Sequence, residues 1–400
     1  MSSSNKPIGV LIFVENLPVP NNRRVWLEAT TLTKANYEVS IISITGKGAK
    51  QYYECLEGIH IYRYPAPPLT ESTLSFIFEF AYCWVMSFLL SFVVAFRHGF
   101  KIIHACNPPE TFWLIGLFYK LFGKKFIFDH HDLSPEMYYS RFRRKGIAYK
   151  GLLFLEKMTF RSADLIITTN QTQEKVAIER GNYPQDKIYI VRNGPDKEIL
   201  KPNEPDLSLK QGHQYMVGYL GVINPQDGVD SLILVADYIV KEKKRDDILF
   251  LIMGTGDAIA DLHKMVEDLE LTAHVHFTGW VEQETIASYL SVTDIGVDTM
   301  PKNPYSDAAT TNKILEYMSV ECPIVCFDLV ESRVSGGDAA IYAEPDNIVD
   351  LADKILALLA DKAKREQMGQ LGRQRIETEL SWQHQSENLL AAYRDVLNQQ

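Results

Sequence analysis

Two doubly wound α/β domains, each built on a mostly parallel sheet, are the fold this chain predicts. Three observations carry the expectation. Short apolar, β-branched runs alternate with helical segments, as strands do when crossover helices bury both of their faces. The alternation runs twice, and a stretch rich in Lys, Pro, Asn and Asp, Pro195–Gly212, lies between the two runs as a natural linker. The chain has 400 residues, too many for one ordinary core and comfortable for two.

In the first half the strands fall at Gly9–Val14, Val39–Ile44, Ile59–Tyr64, Ile102–Cys106, Lys125–Asp129, Leu165–Thr169 and Ile188–Val191. In the second half they fall at Met216–Leu220, Leu249–Met253, Val275–Thr278, Ile295–Asp298, Ile324–Phe327 and Ala340–Tyr342. The expected domains are residues 1–200 and 213–381. A last helix, 382–397, carries Leu389, Leu390, Tyr393, Val396 and Leu397 as a face that could pack on either. Doubly wound sheets bind ligands beyond the carboxyl ends of their strands, and two of them facing one another enclose a cleft.

One segment departs from the pattern. Leu74–Phe96 carries a single charge, Glu79, and Phe80–Phe96 is 17 residues without any. Its length is at the lower edge for a membrane span. Ser75, Glu79, Cys83, Ser87 and Ser91 recur every fourth residue, a small or polar stripe that suits a helix laid on the sheet with a greasy outer face. The readings are a buried domain helix, a membrane-docking helix, or a true span, and a span would cut the sheet in two.

The composition, 46% hydrophobic and 23% charged, excludes a disordered chain, a fibre and a polytopic membrane protein. The net charge of 41 − 51 = −10 argues against nucleic acid as a partner. That total hides an asymmetry: residues 1–200 hold 24 Lys/Arg and 18 Asp/Glu, net +6, and residues 201–400 hold 17 and 33, net −16. The basic half, with Arg97, His98, Lys101 and the run Arg141–Lys145, favours an anionic surface. Five scattered cysteines without a C-x-x-C, and an opening without a signal-peptide pattern, fit reduced thiols in the cytoplasm.

Candidate chemistry collects at strand ends. The first strand runs into Glu15–Arg24, where Asn21 or Asn22 caps the next helix. Arg23 and Arg24 in its first turn oppose the helix dipole, so a phosphate or an anionic lipid is their expected ligand, beside the plainer option of a surface pair. Asp129-His-His-Asp132 ends a strand, and a strand-end histidine beside carboxylates can hold a proton or orient a hydroxyl. No metal is expected there, because the histidine pair lacks partners at helical spacing. Gly218–Gly221, Gly254–Asp257 and Gly279–Val281 are Gly-rich strand ends; Ile259 stands where a dinucleotide fingerprint needs its third glycine. In 294–328, Thr310, Thr311 and Asn312 begin a helix that can receive a phosphate, with Lys313 and Glu316 three residues apart for phosphate and ribose hydroxyls. No Asp-x-Asp occurs, so the usual signature of a metal-bridged nucleotide-sugar site is missing.

Taken together these stretches resemble the GT-B glycosyltransferases of family 4, in particular the bacterial members that build cell-surface polysaccharide on lipid carriers. The matching segments are Glu15–Arg24 with Glu28, Asn107–Glu110, Asp129–Glu136, Val191–Asp196, Tyr219–Asp230, Gly254–Asp257, Phe277–Val281 and Asn312–Met318. The resemblance implies two Rossmann-like domains facing a cleft, with the final helix crossing back onto the first domain. It implies a retaining, metal-independent transfer of a hexosyl or N-acetylhexosaminyl group from a nucleotide sugar, expected to be UDP-linked, with no cofactor. The acceptor is expected to be a lipid-linked saccharide, and the setting cytoplasmic, peripheral at the inner face of the membrane.

The residue pattern and the resemblance together make His131, Asp132 and Lys313 the expected catalytic residues. Glu316, Asn312, Thr311, Gly221, Asn224, Gly254, Trp280 and Val281 are expected at the donor nucleotide, and Arg23, Arg24 and Asn22 at the acceptor or its phosphate. Four positions depart from the family: Ala308 stands where the first glutamate of its E-x₇-E motif belongs, Thr311 stands at the motif's glycine, and Val222 and Asp227 stand near the usual arginine and lysine. Phosphate recognition is therefore expected to have moved to Lys313 and the helix start, aided by Asn224. The competing readings are a catalytically silent GT-B partner or regulator, and another enzyme of this fold such as a nucleotide-sugar epimerase or a phosphorylase. A dinucleotide-dependent dehydrogenase is disfavoured by the failed fingerprint.

Overall fold

The computed structural model describes residues 7–398 apart from 47, 68–72 and 198, so the opening Met1–Lys6 lies outside the described residues. The chain forms two compact units, Met1–Arg192 with Gln385–Gln400, and Asn193–His384. The passage from one to the other falls at Arg192–Asn193, ahead of the expected linker. Residues of 195–212 pack on the second unit: Leu200 is buried in its core, and Lys210 pairs with Asp294 at 2.6 Å.

The first unit holds eight strands: β1 (Ile8–Phe13), β2 (Tyr37–Ile44), β3 (Tyr53–Leu56), β4 (Ile59–Tyr64), β5 (Ile102–Cys106), β6 (Lys125–His130), β7 (Leu165–Thr168) and β8 (Ile188–Ile190). Their order is β3-β4-β2-β1-β5-β6-β7-β8, all neighbours parallel except the edge pair β3–β4. The sequence reading missed β3, because Tyr-Glu-Cys-Leu is short, polar and half exposed, as an edge strand can be. Helices α1 (Arg23–Lys34), α2 (Thr73–Arg97), α3 (Trp113–Lys120), α4 (Ser134–Phe142), α5 (Ile147–Ser162) and α6 (Gln171–Glu179) make the crossovers.

Helix α2 fits neither extreme of its sequence. Cys83, Ser87 and Ser91 are buried, and their small side chains let the helix lie close to the sheet; Ser91 Oγ meets Tyr119 Oη at 2.9 Å. The side chain of Ser75, the first of the stripe, lies outside the described residues. The opposite face remains apolar and open: Phe78, Val85, Leu89, Phe92 and Phe96 are exposed, the last at 94%. Only 22% of the apolar window Phe78–Arg97 is buried, so α2 is a sheet-covering helix with an uncovered outer face.

The second unit holds β9 (Tyr215–Leu220), β10 (Ile248–Met253), β11 (Val275–Gly279), β12 (Ile295–Asp298), β13 (Ile324–Phe327) and β14 (Ala340–Ala343) in the order β11-β10-β9-β12-β13-β14, all parallel. Its helices are α7 (Val229–Asp237), α8 (Ile259–Asp268), α9 (Gln283–Val292), α10 (Pro304–Ala308), α11 (Asn312–Ser319), α12 (Val330–Gly336), α13 (Ile348–Ala360) and α14 (Lys362–Arg375); α15 (Trp382–Asn398) ends in the first unit. Alternate residues of β10 feed two cores, Ile248, Phe250 and Ile252 on one face and Leu249, Leu251 and Met253 on the other. That is why the strand reads as one continuous apolar run.

Candidate functional site

In the first unit, β6 carries Asp129 to the carboxyl edge of the sheet, fully buried. Helix α1 begins there, with Asn22 as its N-cap accepting from Val25 N at 3.2 Å. The second residue of α1, Arg24, is buried and grips Asp129 with two prongs, Nη2–Oδ1 at 2.8 Å and Nε–Oδ2 at 3.2 Å. It also donates through Nη1 to Val191 O at 2.7 Å and lies 3.0 Å from Glu28 one turn on. A cation at a helix start is unfavourable alone; the buried aspartate offsets it.

His131 Nε2 sits between Arg24 Nε, at 2.7 Å, and Asp129 Oδ2. It accepts from the arginine in one tautomer and donates to the aspartate in the other, and in both Nδ1 is the nitrogen turned elsewhere. His104 meets Asp129 Oδ2 at 3.2 Å and Tyr393 Oη of α15 at 2.8 Å. Asn107 fixes the loop: its Oδ1 accepts from His131 N at 2.6 Å, and its Nδ2 donates to Asp132 O at 2.7 Å and Glu110 Oε1 at 2.9 Å.

These contacts set the charges. Burial pushes the Asp129 carboxyl upward, but Arg24 and His131 outweigh it and hold it well below the usual carboxylate range. Burial, with Asp129 beside it, raises Glu28 far above that range. Burial also lowers His131, with Arg24 adding to it against the pull of Asp129, which favours a neutral ring. Asp132 is pushed up to about 6 by burial and then Glu110, and Glu15 to about 7 by burial. Three carboxyls at the carboxyl edge of this sheet are thus poised to hold protons.

In the second unit, Asp298 ends β12. Lys313, second residue of α11, is buried with Nζ 3.1 Å from Asp298 Oδ1, and Thr311 Oγ1 donates to Asp298 Oδ2 at 2.8 Å. The ammonium also lies 4.9 Å from the centre of the Tyr219 ring. Burial works against the charged lysine, but Asp298 and Tyr219 prevail and raise its pKa. Above it the strand-end loops pack backbone to backbone. Gly254, at φ +140°, has no room for a Cβ, which would fall 1.8 Å from Gly221 O. Ile223 N donates to Thr255 O at 3.1 Å and Asn224 Oδ1 accepts from Asp257 N at 3.1 Å. The glycines are thus required by the loop approach itself.

The expected residues are therefore grouped unit by unit. Asn22, Arg24, His131 and Asp132 share one strand edge, with Arg23 partly exposed beside them. Arg24, expected at a phosphate, has its guanidinium directed at Asp129, Glu28 and His131 inside the unit. Thr311, Asn312, Lys313, Gly221, Asn224 and Gly254 gather at the edge of the other sheet. Glu316 is half-buried, one turn into α11 from the buried Lys313. Trp280 is 65% exposed and Val281 half-buried, both just past β11. The sequence reading placed Asp129 and Asp298 at strand ends but did not pair them with the two cations, and it gave no part to Tyr219 or His104 beside them. The available signal was that both aspartates are the last acids of apolar strands.

With this geometry in place, comparison with known proteins is informative. Residues 22–199 match the model of Glycosyltransferase Family 4, and residues 214–361 match that of Glycosyl transferases group 1. The chain belongs to the GT-B glycosyltransferases of family 4. One relative is the putative teichuronic acid biosynthesis glycosyltransferase TuaH of Bacillus subtilis, 25% identical over 244 residues, 58% of this chain and 57% of that one. The chain thus spans little more than half the length of this relative. Among solved structures, the sucrose-phosphate synthase of Thermosynechococcus elongatus superposes with a TM-score of 0.76 at 17% identity, covering 98% of this chain and 99% of that one. Anabaena HepE, solved with UDP and glucose, gives 0.73 at 14% identity, covering 97% and 100%. At such identities the likeness concerns the fold.

Proposed function

We propose that this glycosyltransferase moves a sugar, with retention of configuration and without metal in the reaction, from a UDP-sugar to a lipid-linked saccharide during the building of a cell-surface polysaccharide. In this reading the second unit takes the donor and the first the acceptor. The observation that carries it is Lys313, buried at a strand edge beside Asp298 and beneath the Gly221 loop. A buried, permanently charged ammonium next to open backbone amides of a helix start is what a leaving diphosphate needs. TuaH, named for teichuronic acid biosynthesis, supports the pathway, and HepE, solved with UDP and glucose, supports the donor class.

As the glycosidic bond breaks, negative charge grows on the β-phosphate. Lys313 and the amides at Thr311–Lys313 stabilise it, and Asp298 keeps the lysine charged and aimed. Glu316 takes the ribose hydroxyls, Gly221, Asn224 and Gly254 let the backbone approach the phosphates, and Trp280 and Val281 border the nucleotide. On the acceptor side His131, oriented by Arg24 and Asp129, positions the attacking hydroxyl. The leaving phosphate takes the proton, and Asp132 supplies a further hydrogen bond.

The lipid of the acceptor places the work at the inner membrane surface. The open face of α2 supports this, because it continues onto α3: Phe88 and Phe92 meet Phe118 at ring distances of 5.2 and 5.7 Å, and Leu114, Leu117, Leu121 and Phe122 are exposed. An apolar patch with Arg97, Lys101, Lys120 and Lys124 nearby in the chain suits anionic lipid. The test is a panel of UDP-, GDP- and dTDP-sugars with a polyprenyl-diphosphate saccharide, read by product mass. Turnover with a UDP-sugar is expected; turnover with none of the donors would overturn the reading.

A further inference from the structure

On the first unit, away from the strand ends just described, three metal-ligating side chains converge. Glu38 is the second residue of β2, His60 the second residue of β4, and His98 follows the end of α2. One donor atom from each lies within 4.8 Å of the others. The register explains the convergence. Ser40 pairs with His60, so Glu38, two residues earlier, projects from the same face, and α2 brings His98 onto that face beside Tyr62. Both strands present their amino ends here, whereas Asp129 and His131 stand at the carboxyl edge.

Each histidine already has one ring nitrogen engaged by a tyrosine. Tyr62 Oη meets His98 Nε2 at 2.8 Å, and Tyr53 Oη meets His60 Nδ1 at 3.2 Å. Metal-ligating histidines have their second nitrogen held in this way, which fixes ring and tautomer. The nitrogens left over are His60 Nε2 and His98 Nδ1, and the latter is 3.4 Å from Glu38 Oε1. The two rings are stacked, with centroids 3.9 Å apart and planes 25° from parallel, so their in-plane lone pairs converge on one ion only once the rings turn out of the stack. Burial and the neighbouring His98 lower His60, so the neutral ligand form is favoured. Across the edge pair, Cys55 stands directly opposite His60, on the same face, and its thiol is exposed and free. Directly opposed residues have Cβ atoms about 4.5–5.5 Å apart, within reach of a shared ion.

From this geometry we infer a structural zinc-class site formed by Glu38, His60 and His98, with Cys55 as fourth ligand. A tetrahedral ion at about 2.0–2.3 Å from each donor needs the three donors drawn together, the two rings turned out of their stack, and the Cys55 thiol, outside the three-residue cluster, swung onto it. The bound ion ties the end of α2, the helix that carries much of the open apolar face, to β2 and the edge pair β3–β4. The other cluster of ligating groups, Glu28, Cys106, Asp129 and His131, carries no such inference, because the Arg24 guanidinium already occupies it.

The inference is independent of sugar transfer. Chelator-treated full-length protein is titrated with Zn²⁺ by calorimetry, and the melting temperature is followed with and without the metal. One equivalent is expected to bind and to raise the melting temperature. His60→Gln, His98→Gln and the isosteric Glu38→Gln are each expected to lower the affinity by at least about tenfold, and Tyr62→Phe by about tenfold, the size an outer partner commands. Melting of the variants in chelator, unchanged from the parent, keeps misfolding apart from lost ligation. With Co²⁺ in place of zinc, a near-ultraviolet thiolate band is expected and is lost in Cys55→Ser; a band that survives, or never forms, overturns the part given to Cys55. Absence of zinc binding at tens of micromolar, or binding unmoved by the three ligand variants, overturns the site.

Discussion

Substituting Asp129→Asn isolates the device that organises the first unit. The carboxylate accepts two prongs from Arg24, at 2.8 and 3.2 Å, inside the protein. Removing one partner of such a pair costs about 3–5 kcal/mol, because the other charge is stranded. Glu28 limits the loss: burial and Asp129 keep its carboxyl protonated, and it lies 3.0 Å from Arg24 Nε. Once the neighbouring anion is gone, Glu28 can ionise and take over part of the pairing, so the lower end, about 3 kcal/mol, is expected. At about 2–4 °C per kcal/mol for a unit of this size, its melting temperature falls by roughly 6–12 °C. The assay is thermal unfolding of parent, Asp129→Asn, Arg24→Met and the double variant. Residues in direct contact couple by about 0.5–3 kcal/mol, so the double variant should lose clearly less than the sum. The pH limb gives the sign independently. A carboxyl held below its unfolded value stabilises fully above about pH 4 and loses that contribution as the pH falls; Asp129→Asn should flatten that limb. A loss under about 1 kcal/mol, or strict additivity, would refute the reasoning.

Other outcomes follow from the same structure. Lys313→Met should weaken UDP binding by about tenfold to a hundredfold, since a charge-assisted contact is worth about 1.5–3 kcal/mol; unchanged calorimetric affinity removes Lys313 from the donor site. Glu15→Gln should stabilise the protein at neutral pH. The parent carboxyl, raised to about 7, contributes stability below its unfolded value that is lost as the pH rises through 7, so the variant's melting temperature should vary less across pH 4.5–7. Excess chelator should leave the transfer rate per folded molecule unchanged while lowering the melting temperature; a rate abolished and restored only by metal contradicts metal-independent transfer. Phe92→Ser with Phe96→Ser should reduce sedimentation with anionic vesicles, and binding by the parent should fall with salt. No sedimentation of the parent at low salt sinks the membrane reading.

Much of the fold was legible because buried parallel strands announce themselves. Ile59–Tyr64, Ile102–Cys106, Ile295–Asp298 and Ile324–Phe327 agree to the residue, and the other expected strands shift by one or two. What the residues did not announce is edge and surface structure. β3 is held by its pairing with β4, not by its own polar composition. Pro195–Gly212 has the composition of a linker, yet Leu200 and Lys210 tie it to the second unit. For α2, the every-fourth-residue stripe was visible, but which face met the sheet was a packing outcome: the small residues went in because they let Tyr64 and Tyr119 approach.

The candidate site shows the same limit in sharper form, and shows it twice. Arg24 is the second residue of α1 and Lys313 the second of α11, and a cation in that position reads from sequence as a phosphate ligand. In each unit the helix start instead meets a buried aspartate at the end of a strand, Asp129 or Asp298. The partners are 105 residues apart in one case and 15 in the other, so neither pairing is a local pattern. The consequences differ because the surroundings differ. Arg24 turns its guanidinium toward Asp129, Glu28, His131 and the Val191 carbonyl, all within the unit. Lys313 meets Asp298, the Tyr219 ring and the thin Gly221 loop, with the Asp227 carboxylate also near enough to favour its charge. The same device of helix-start cation and strand-end aspartate thus sets the cation against a histidine in one unit and against an aromatic ring in the other.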